Sequence, residues 1–538
     1  MQGLMIDVDL SITTIMRHVE SVSRNIEIVS RMGDGTIHRH TYEEAFRRTR
    51  QLANALDALG LSSSARVGTL AWNDFRHFEL HYAIPCSGRI CHTINPKLFR
   101  EQICFIINDA GDEALFIDPQ FIPVIESIQA EIPSVKHWIA LSSEAEMPTS
   151  TLPGLCSYET LIGSQSDHYE WPDLDEKRAS GLCYTSGTTG NPKGVLGCHR
   201  SIVLHGMSQN MASTVGLTPE DVVMPLVPMF HVNAWGMPYN APMAGAKLVL
   251  PGPQISDTEK MVELINNEQV TFSLAVPTLW DSLGIYLNKT GASVPSLRRG
   301  VIGGAAGAIQ LYQDLERHGV ILENGWGMTE LSSMGSYNRY LPQHANLNEA
   351  DQSIQRLKSG RPLFGMQVRI VDEDGNTLPN DGETTGVLEA RAPWACSSYY
   401  GRDDHHQWFN TGDVATIDDN GYMKITDRIK DVIKSGGEWI SSIEIENAIM
   451  SHPGVREAVV IGIYHQHWTE RPLLIIVPEG DYPDLTGSEL LDFLRGKIPK
   501  WWLPNACDIV EELPHTSTGK ISKKNLRESY TNYRWPTD

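Results

Sequence analysis

The densest group of side chains able to do chemistry lies in Leu182-Cys183-Tyr184-Thr185-Ser186-Gly187-Thr188-Thr189-Gly190-Asn191-Pro192-Lys193-Gly194-Val195. Thr185, Ser186, Thr188 and Thr189 supply hydroxyls and Lys193 an ammonium. The glycines reach positive φ at little cost and let backbone N–H groups approach a ligand closely. Donors at this density around one cation suit a polyphosphate. The spacing is not that of a P-loop, because Gly rather than Ser or Thr follows the lysine. The apolar run from Gly181 to Tyr184 predicts a buried strand, and the cluster after it a loop.

Other segments carry isolated candidates. Pro225 to Gly236 reads as an apolar strand ending in Met229-Phe230-His231, followed by a turn with Trp235. Gly303-Gly304-Ala305 follows a predicted strand from Leu297 to Ile302, and a glycine pair there lets a flat ring pass against the backbone. Glu323-Asn324-Gly325-Trp326-Gly327-Met328-Thr329-Glu330 reads as a turn holding an aromatic ring, a hydroxyl and a carboxylate. Asp413 sits in Thr411-Gly412-Asp413, and an ionised carboxylate there can accept two hydroxyl donors. Ile425 to Ile440 reads as a charged strand, a Gly436-Gly437 loop and a second strand. Leu513 to Lys523 places Lys520 after Gly519, where a lysine can enter a pocket as a point charge.

The elements that must position these groups alternate in type. Thr41-Tyr42-Glu43-Glu44 predicts a capping box opening a helix through Leu59 that Gly60 ends. Strands are predicted over 65–72, 90–94 and 113–118, with helices over 75–87 and 101–110, which suggests βαβ units around a parallel sheet. His199 to Met211 reads as a helix and Ser273 to Trp280 as a strand. From Gly360 to Ile425, short strands separated by Asp372-Glu373-Asp374-Gly375-Asn376 and Asp418-Asp419-Asn420-Gly421 turns suggest a small β-subdomain. The last ~110 residues read as a small α+β domain. The fold class is α/β.

Tyr184 to Val195, with the later segments in the same order, resembles the adenylate-forming superfamily of acyl-CoA synthetases, adenylation domains and beetle luciferases. The resemblance runs from about residue 41 to 527. It implies a large N-terminal domain of βαβ-type sheets with a β-subdomain (1–426), a hinge region (427–434) pivoting at Lys430, and a mobile C-terminal domain (435–538). ATP would be bound by Thr185, Ser186, Gly187, Thr188, Thr189, Lys193, Gly303, Gly304, Ala305, Asn324, Gly325, Trp326, Gly327, Met328, Thr329, Asp413 and Arg428. In the family the aromatic stacks on adenine and the aspartate holds the ribose. Thr185 and Glu330 would hold Mg²⁺, which prefers oxygen ligands and takes few from protein beside phosphate. His231, Trp235 and Gly304 would border the acyl pocket, with Trp235 as a shortening wall. Ser435, Gly436, Gly437, Glu438 and Trp439 would meet CoA, and Lys520, His231 and Lys434 would be catalytic. Trp468-Thr469-Glu470-Arg471-Pro472 departs from the family's commoner Trp-Gly-Glu-Arg-Pro. The activity implied is AMP-forming acid–CoA ligation on 3-methylmercaptopropionate or another short or medium-chain acid. A carrier-protein-loading adenylation enzyme that does not use free CoA is the alternative.

Composition sets outer bounds. The chain has 538 residues and a formal charge of −22, which argues against nucleic acid or an anionic membrane as partner. Eight cysteines without a C-x-x-C pair suggest reduced structural thiols rather than disulfides or zinc. No run approaches the ~18 apolar residues of a membrane span, and neither end reads as a targeting signal, so a cytoplasmic protein is expected. A homodimer is what the resemblance suggests.

Overall fold

The computed structural model describes residues 1, 3–185, 191–339, 341–435, 438–482, 485–515 and 521–535, with the side chains of Gln343 and Glu438 outside that description. The expected helix at Thr41 forms over Tyr42–Ala58. Thr41 Oγ1 accepts from the Glu44 N–H at 3.3 Å, and Glu44 Oε2 accepts from the Thr41 N–H at 2.7 Å. Such a cap is worth about 1 kcal/mol. Gly60 follows the helix at φ 72°, the left-handed geometry a helix end favours.

Strands Arg66–Leu70, Ile90–Thr93 and Ala114–Ile117 pair in parallel within a seven-stranded sheet, separated in sequence by helices Phe75–Cys86 and Arg100–Ala110. The strand Ala179–Thr185 joins them in parallel against Ile90–Thr93, then turns back as Lys193–Cys198. A nine-stranded sheet has a parallel centre, from Glu27–Arg31 through Lys247–Leu250, Val222–Pro225, Phe272–Ala275 and Arg299–Gly303 to Ile321–Met328. Antiparallel strands close both of its edges.

Helix Phe75–Cys86 lies between the two sheets, and all of its residues are buried. Phe78, Tyr82 and Cys86 pack with the nine-stranded sheet's Val223, Leu248 and Phe272, while Leu80, Ala83 and Ile84 pack with Val67, Ala114 and Phe116 of the other. Its buried polar residues need partners. Glu79 accepts from Arg48 Nε at 2.7 Å and Tyr158 OH at 2.6 Å, and Arg76 donates to Glu159 at 2.8 Å.

Strands Gln367–Val371, Gly386–Arg391, Phe409–Ile417 and Met423–Arg428 form the expected antiparallel subdomain. Beyond it, Ile433–Ser435, Glu438–Ile440, Val455–His465, Thr469–Pro478 and Ala506–Ile509 form a smaller sheet flanked by helices Ser442–Ile449, Gly487–Leu494 and Lys523–Ser529. The two units touch next to the expected pivot. The Asp427 carboxylate accepts from Ser442 N–H at 2.7 Å and Ser442 Oγ at 2.6 Å, and Lys424 Nζ reaches Glu444 at 2.7 Å.

Three elements differ from expectation. Ser273 to Trp280 is not one strand, because the strand ends at Ala275 and helix Pro277–Thr290 begins. Pro277 supplies the favourable first-turn proline, and buried Trp280 donates its Nε1–H to Val301 O at 3.0 Å. The strand expected to reach His231 stops at Pro225, where its parallel pairing ends. Glu323 to Met328 is not a turn but part of strand Ile321–Met328, bulged between Trp326 and Gly327, and Thr329–Leu331 is a 3₁₀ turn.

Candidate active site

The site residues gather where parallel strands end, at the carboxyl edge typical of open α/β sheets. The phosphate-binding candidate is a hairpin in which Thr185 lies opposite Lys193 and Tyr184 opposite Gly194. Ser186, Gly187, Thr188 and Thr189 lie outside the described residues. Lys193 Nζ stands 4.7 Å from the centroid of the Tyr399 ring. Tyr399 OH donates to Glu330 Oε1 at 2.8 Å, and burial together with this carboxylate keeps the phenol well above its ordinary pKa. The same segment ties the hairpin to the carboxylate through its backbone. Tyr400 N–H donates to Gly194 O at 2.8 Å and Cys396 N–H to Glu330 O at 2.7 Å. Tyr399 has no signal in the sequence beyond its place in Ser397-Ser398-Tyr399-Tyr400 before a glycine.

A second line of groups borders the β-subdomain. Trp326 Nε1–H donates to Asp413 Oδ2 at 2.8 Å, and Arg428 Nε lies 3.4 Å from Asp413 Oδ1. Asp413 is opposite Arg428 in the sheet, and its N–H donates to Thr411 Oγ1 at 3.1 Å. The Trp326 ring lies over Gly335, where an added Cβ would stand 2.6 Å from it. Gly327 is as constrained, since a Cβ would meet Ser333 O at 1.7 Å. Asn324 serves as an anchor: its carbonyl accepts from Tyr312 OH, and its amide donates to Arg356 O at 2.8 Å and Lys358 O at 3.0 Å. Gly303 is opposite Gly325, and a Cβ on it would meet Gly325 O at 2.5 Å and Trp235 Cη2 at 3.1 Å. Gly304, at φ 82°, and Ala305 follow on the exposed loop.

Against the hairpin strands lies a cavity of about 50 Å³, lined in part by Cys183, Val195, Val232, Asn233, Tyr239 and Thr329. That is room for roughly three or four waters. Thr329 stands on its wall beside Met328, which packs against the core. The loop before it has unusual backbone geometry. Val232, Asn233, Ala234 and Trp235 have φ of 42°, 43°, 48° and 52°, and Gly236 has 86°. The left-handed region costs an L-residue roughly 1–2 kcal/mol, so surrounding contacts must hold four such residues in place. His231 is half-buried, its N–H donating to Pro228 O at 3.0 Å. His205 also lines the cavity and was not anticipated; burial pulls its pKa down to about 4, so it is neutral at pH 7.

The C-terminal candidates lie in a separate group. Lys434 Nζ is 3.7 Å from Glu373 and 5.8 Å from the Trp439 ring centroid, and its N–H donates to Glu470 Oε2 at 2.9 Å. Ser435 Oγ accepts from Arg471 Nη1 at 3.1 Å. Lys430 is exposed in the connection after Arg428. Gly436, Gly437 and Lys520, like the Glu438 side chain, lie outside the described residues. Among the described residues no group of three or more His, Cys, Asp or Glu could hold a metal ion. Glu330 and Thr185 are hard oxygen donors, which suits a cation whose other ligands come from phosphate and water. All eight cysteines are free thiols, and no described helix is long and apolar enough to cross a membrane.

Residues 17–400 match the family model described as AMP-binding enzyme, and 444–520 match its C-terminal domain. The chain is 46% identical to 3-methylmercaptopropionyl-CoA ligase of Ruegeria lacuscaerulensis, covering 98% of this chain and 99% of the relative. It is 44% identical to the medium-chain-fatty-acid–CoA ligase of Ectopseudomonas oleovorans, covering 98% of each. The fold superposes on the crystal structure of anthranilate CoA ligase AuaEII in complex with anthranoyl-AMP with a TM-score of 0.85, at 25% identity over 98% of this chain and 99% of that one. The chain belongs to the AMP-binding enzyme family and is an acid–CoA ligase of the AMP-forming type.

Proposed function

We propose that the protein activates 3-methylmercaptopropionate or another short or medium-chain acid, and that the described site carries out the adenylation half of the reaction. The observation that carries this reading is the junction made by Tyr399. One side chain meets both the Glu330 carboxylate, through its hydroxyl, and the Lys193 ammonium, over its ring, and the neighbouring Thr329 lines a small cavity. A carboxylate oxygen of the acid attacks the α-phosphorus of ATP, the bond to the bridging oxygen breaks, and pyrophosphate leaves. Lys193, with Ser186, Gly187, Thr188 and Thr189, holds the polyphosphate. Gly303, Gly304, Ala305, Gly325, Gly327 and Met328 shape the nucleotide slot, and Asp413 and Arg428 take the ribose. Thr329 reaches the α-phosphate. Thr185 and Glu330 would hold Mg²⁺, which supplies charge neutralisation on the phosphates.

Lys520 stabilises charge developing between phosphate and carboxylate, a role supported by its place in Pro514-His515-Thr516-Ser517-Thr518-Gly519-Lys520. The chain then pivots at Lys430 within 427–434, separating residues 1–426 from 435–538. The loop of Ser435 to Trp439 guides the CoA thiol onto the acyl carbonyl, with His231 and Lys434 nearby, and AMP leaves. The substrate assignment draws on similar identity to a methylthio-acid ligase and a medium-chain ligase, and on the small cavity, which favours shorter acids. A cytoplasmic location and a homodimer complete the proposal.

Mass spectrometry of one incubation tests it: protein, ATP, Mg²⁺, CoA, 3-methylmercaptopropionate, C2–C12 fatty acids and aryl acids. Acyl-CoA with AMP is expected, the methylthio or a short acid leading. Acyl-AMP without thioester would favour a carrier-protein acceptor, and no product from any acid would overturn the substrate class.

A further inference from the structure

The left-handed loop from Val232 to Trp235 is tied at its last carbonyl by a side chain outside it. Gln209, the last residue of helix His199–Gln209, is fully buried. Its Nε2 donates to the Trp235 carbonyl at 3.1 Å, and its Oε1 accepts from Asn240 Nδ2 at 2.6 Å. Asn240, on helix Met237–Met243, is 1% exposed and lines the cavity. The amides leave no slack. A Cβ on Gly236 would stand 2.9 Å from Asn240 Nδ2 and 3.0 Å from Gln209 Oε1, and one on Gly206 would stand 2.7 Å from Asn240 Oδ1. The far end of the Trp235 ring rests 3.1 Å from where a Gly303 Cβ would be. Gln209 thus joins a helix end, the strained loop and the next helix at the point where the Trp235 backbone is fixed.

We infer that Gln209 is a positioning residue for acid selectivity, holding the Trp235 carbonyl so that the indole keeps its place against Gly303. This rests on the reading of Trp235 as the wall of the acyl pocket. Without the amide, the loop relaxes from its left-handed conformation, the indole withdraws from Gly303, and longer acids gain room. Each methylene admitted changes relative kcat/KM by about fourfold.

The test compares kcat/KM over straight-chain acids from C2 to C10 and 3-methylmercaptopropionate, for the wild type, Gln209→Met and Gln209→Glu. Gln209→Met keeps the volume but forms neither bond. It should raise the long-to-short ratio at least tenfold through KM for the acid, leaving KM for ATP unchanged. Gln209→Glu, which when protonated can make both bonds, should keep the wild-type order. In a Trp235→Ala background Gln209→Met should add no further shift, because the wall it positions is gone. Should Gln209→Met not fold, Asn240→Ala, which removes the donor to Gln209 Oε1, is measured with and without Trp235→Ala, and because Asn240 itself lines the cavity only a shift that vanishes without Trp235 supports the inference. A uniform loss over all acids in a folded variant, or an equal shift with and without Trp235, overturns the inference. A wild type that makes acyl-CoA from none of the acids defeats the functional reading instead.

Discussion

Replacing Tyr399 by Phe removes one bond and leaves the ring in place. The hydroxyl lies 2.8 Å from Glu330 Oε1, and Glu330 is buried. A hydrogen bond to a charged group contributes about 1.5–3 kcal/mol. If the carboxylate must be held in one orientation to meet the nucleotide's cation, that range predicts a loss of roughly 10- to 150-fold in kcat/KM for ATP. Lys193 keeps its seat 4.7 Å over the ring in Tyr399→Phe but loses it in Tyr399→Leu. The second variant should fall a further ~2- to 5-fold, the equivalent of an exposed cation–π contact. Acid-dependent ATP–pyrophosphate exchange reads this step without CoA. KM for the acid should not move, since Tyr399 is not on the cavity wall. A folded Tyr399→Phe with wild-type ATP kinetics, or one whose defect lies in the acid KM, would refute the coupling of Glu330 to the phosphate hairpin.

Other expectations follow from single contacts. Lys520→Ala should slow adenylation by ~10²–10³ while thioester formation from supplied acyl-AMP survives; equal losses in both half-reactions would remove Lys520 from its assigned role. Thr469 stands where the family more often has Gly, and it has φ 70°. Thr469→Gly should therefore raise stability by about 1 kcal/mol in urea unfolding, and a loss would show that the turn is not strained. Acid should destabilise the fold. Burial pulls His77, His199 and His205 down to about 4 and His40 to about 3. Because the unfolded chain binds these protons near pH 6.5, stability is present above that pH and is lost as pH falls toward 4, by on the order of 3 kcal/mol per histidine. Burial raises Asp74, to about 7, and also Glu79, Asp112, Asp118, Asp281, Asp427 and Glu446, which act in the opposite sense. Glu159, Glu268 and Asp418 are held low by their partners and act with the histidines. Melting temperature should fall as pH falls from 6.5 to 4, and His199→Asn, which keeps an acceptor for the Ile12 N–H, should flatten that fall.

Local patterns in the sequence determined much of this protein. The capping box at Thr41, the alternation of strand and helix from 65 to 118 and the turns at Asp372 and Asp418 are set by neighbours within a few residues, where propensity and short hydrogen bonds decide. The candidate phosphate-binding segment stands out in the sequence because its glycines, hydroxyls and lysine are contiguous. The elements that escaped were decided by distant partners. Trp280 is helical because Pro277 starts a helix whose indole finds Val301 O across the sheet. Trp326 sits on a strand because Ser333–Asn338 pairs with it. Tyr399 reaches Glu330 from 69 residues away, Gln209 holds Trp235 from 26, and Trp326 meets Asp413 from 87. Contacts between such separated positions leave no period or spacing in one chain, since each depends on how two sheets and a subdomain pack. The sequence alone therefore names the chemistry, while the orientation of its groups and the depth of the cavity are tertiary facts.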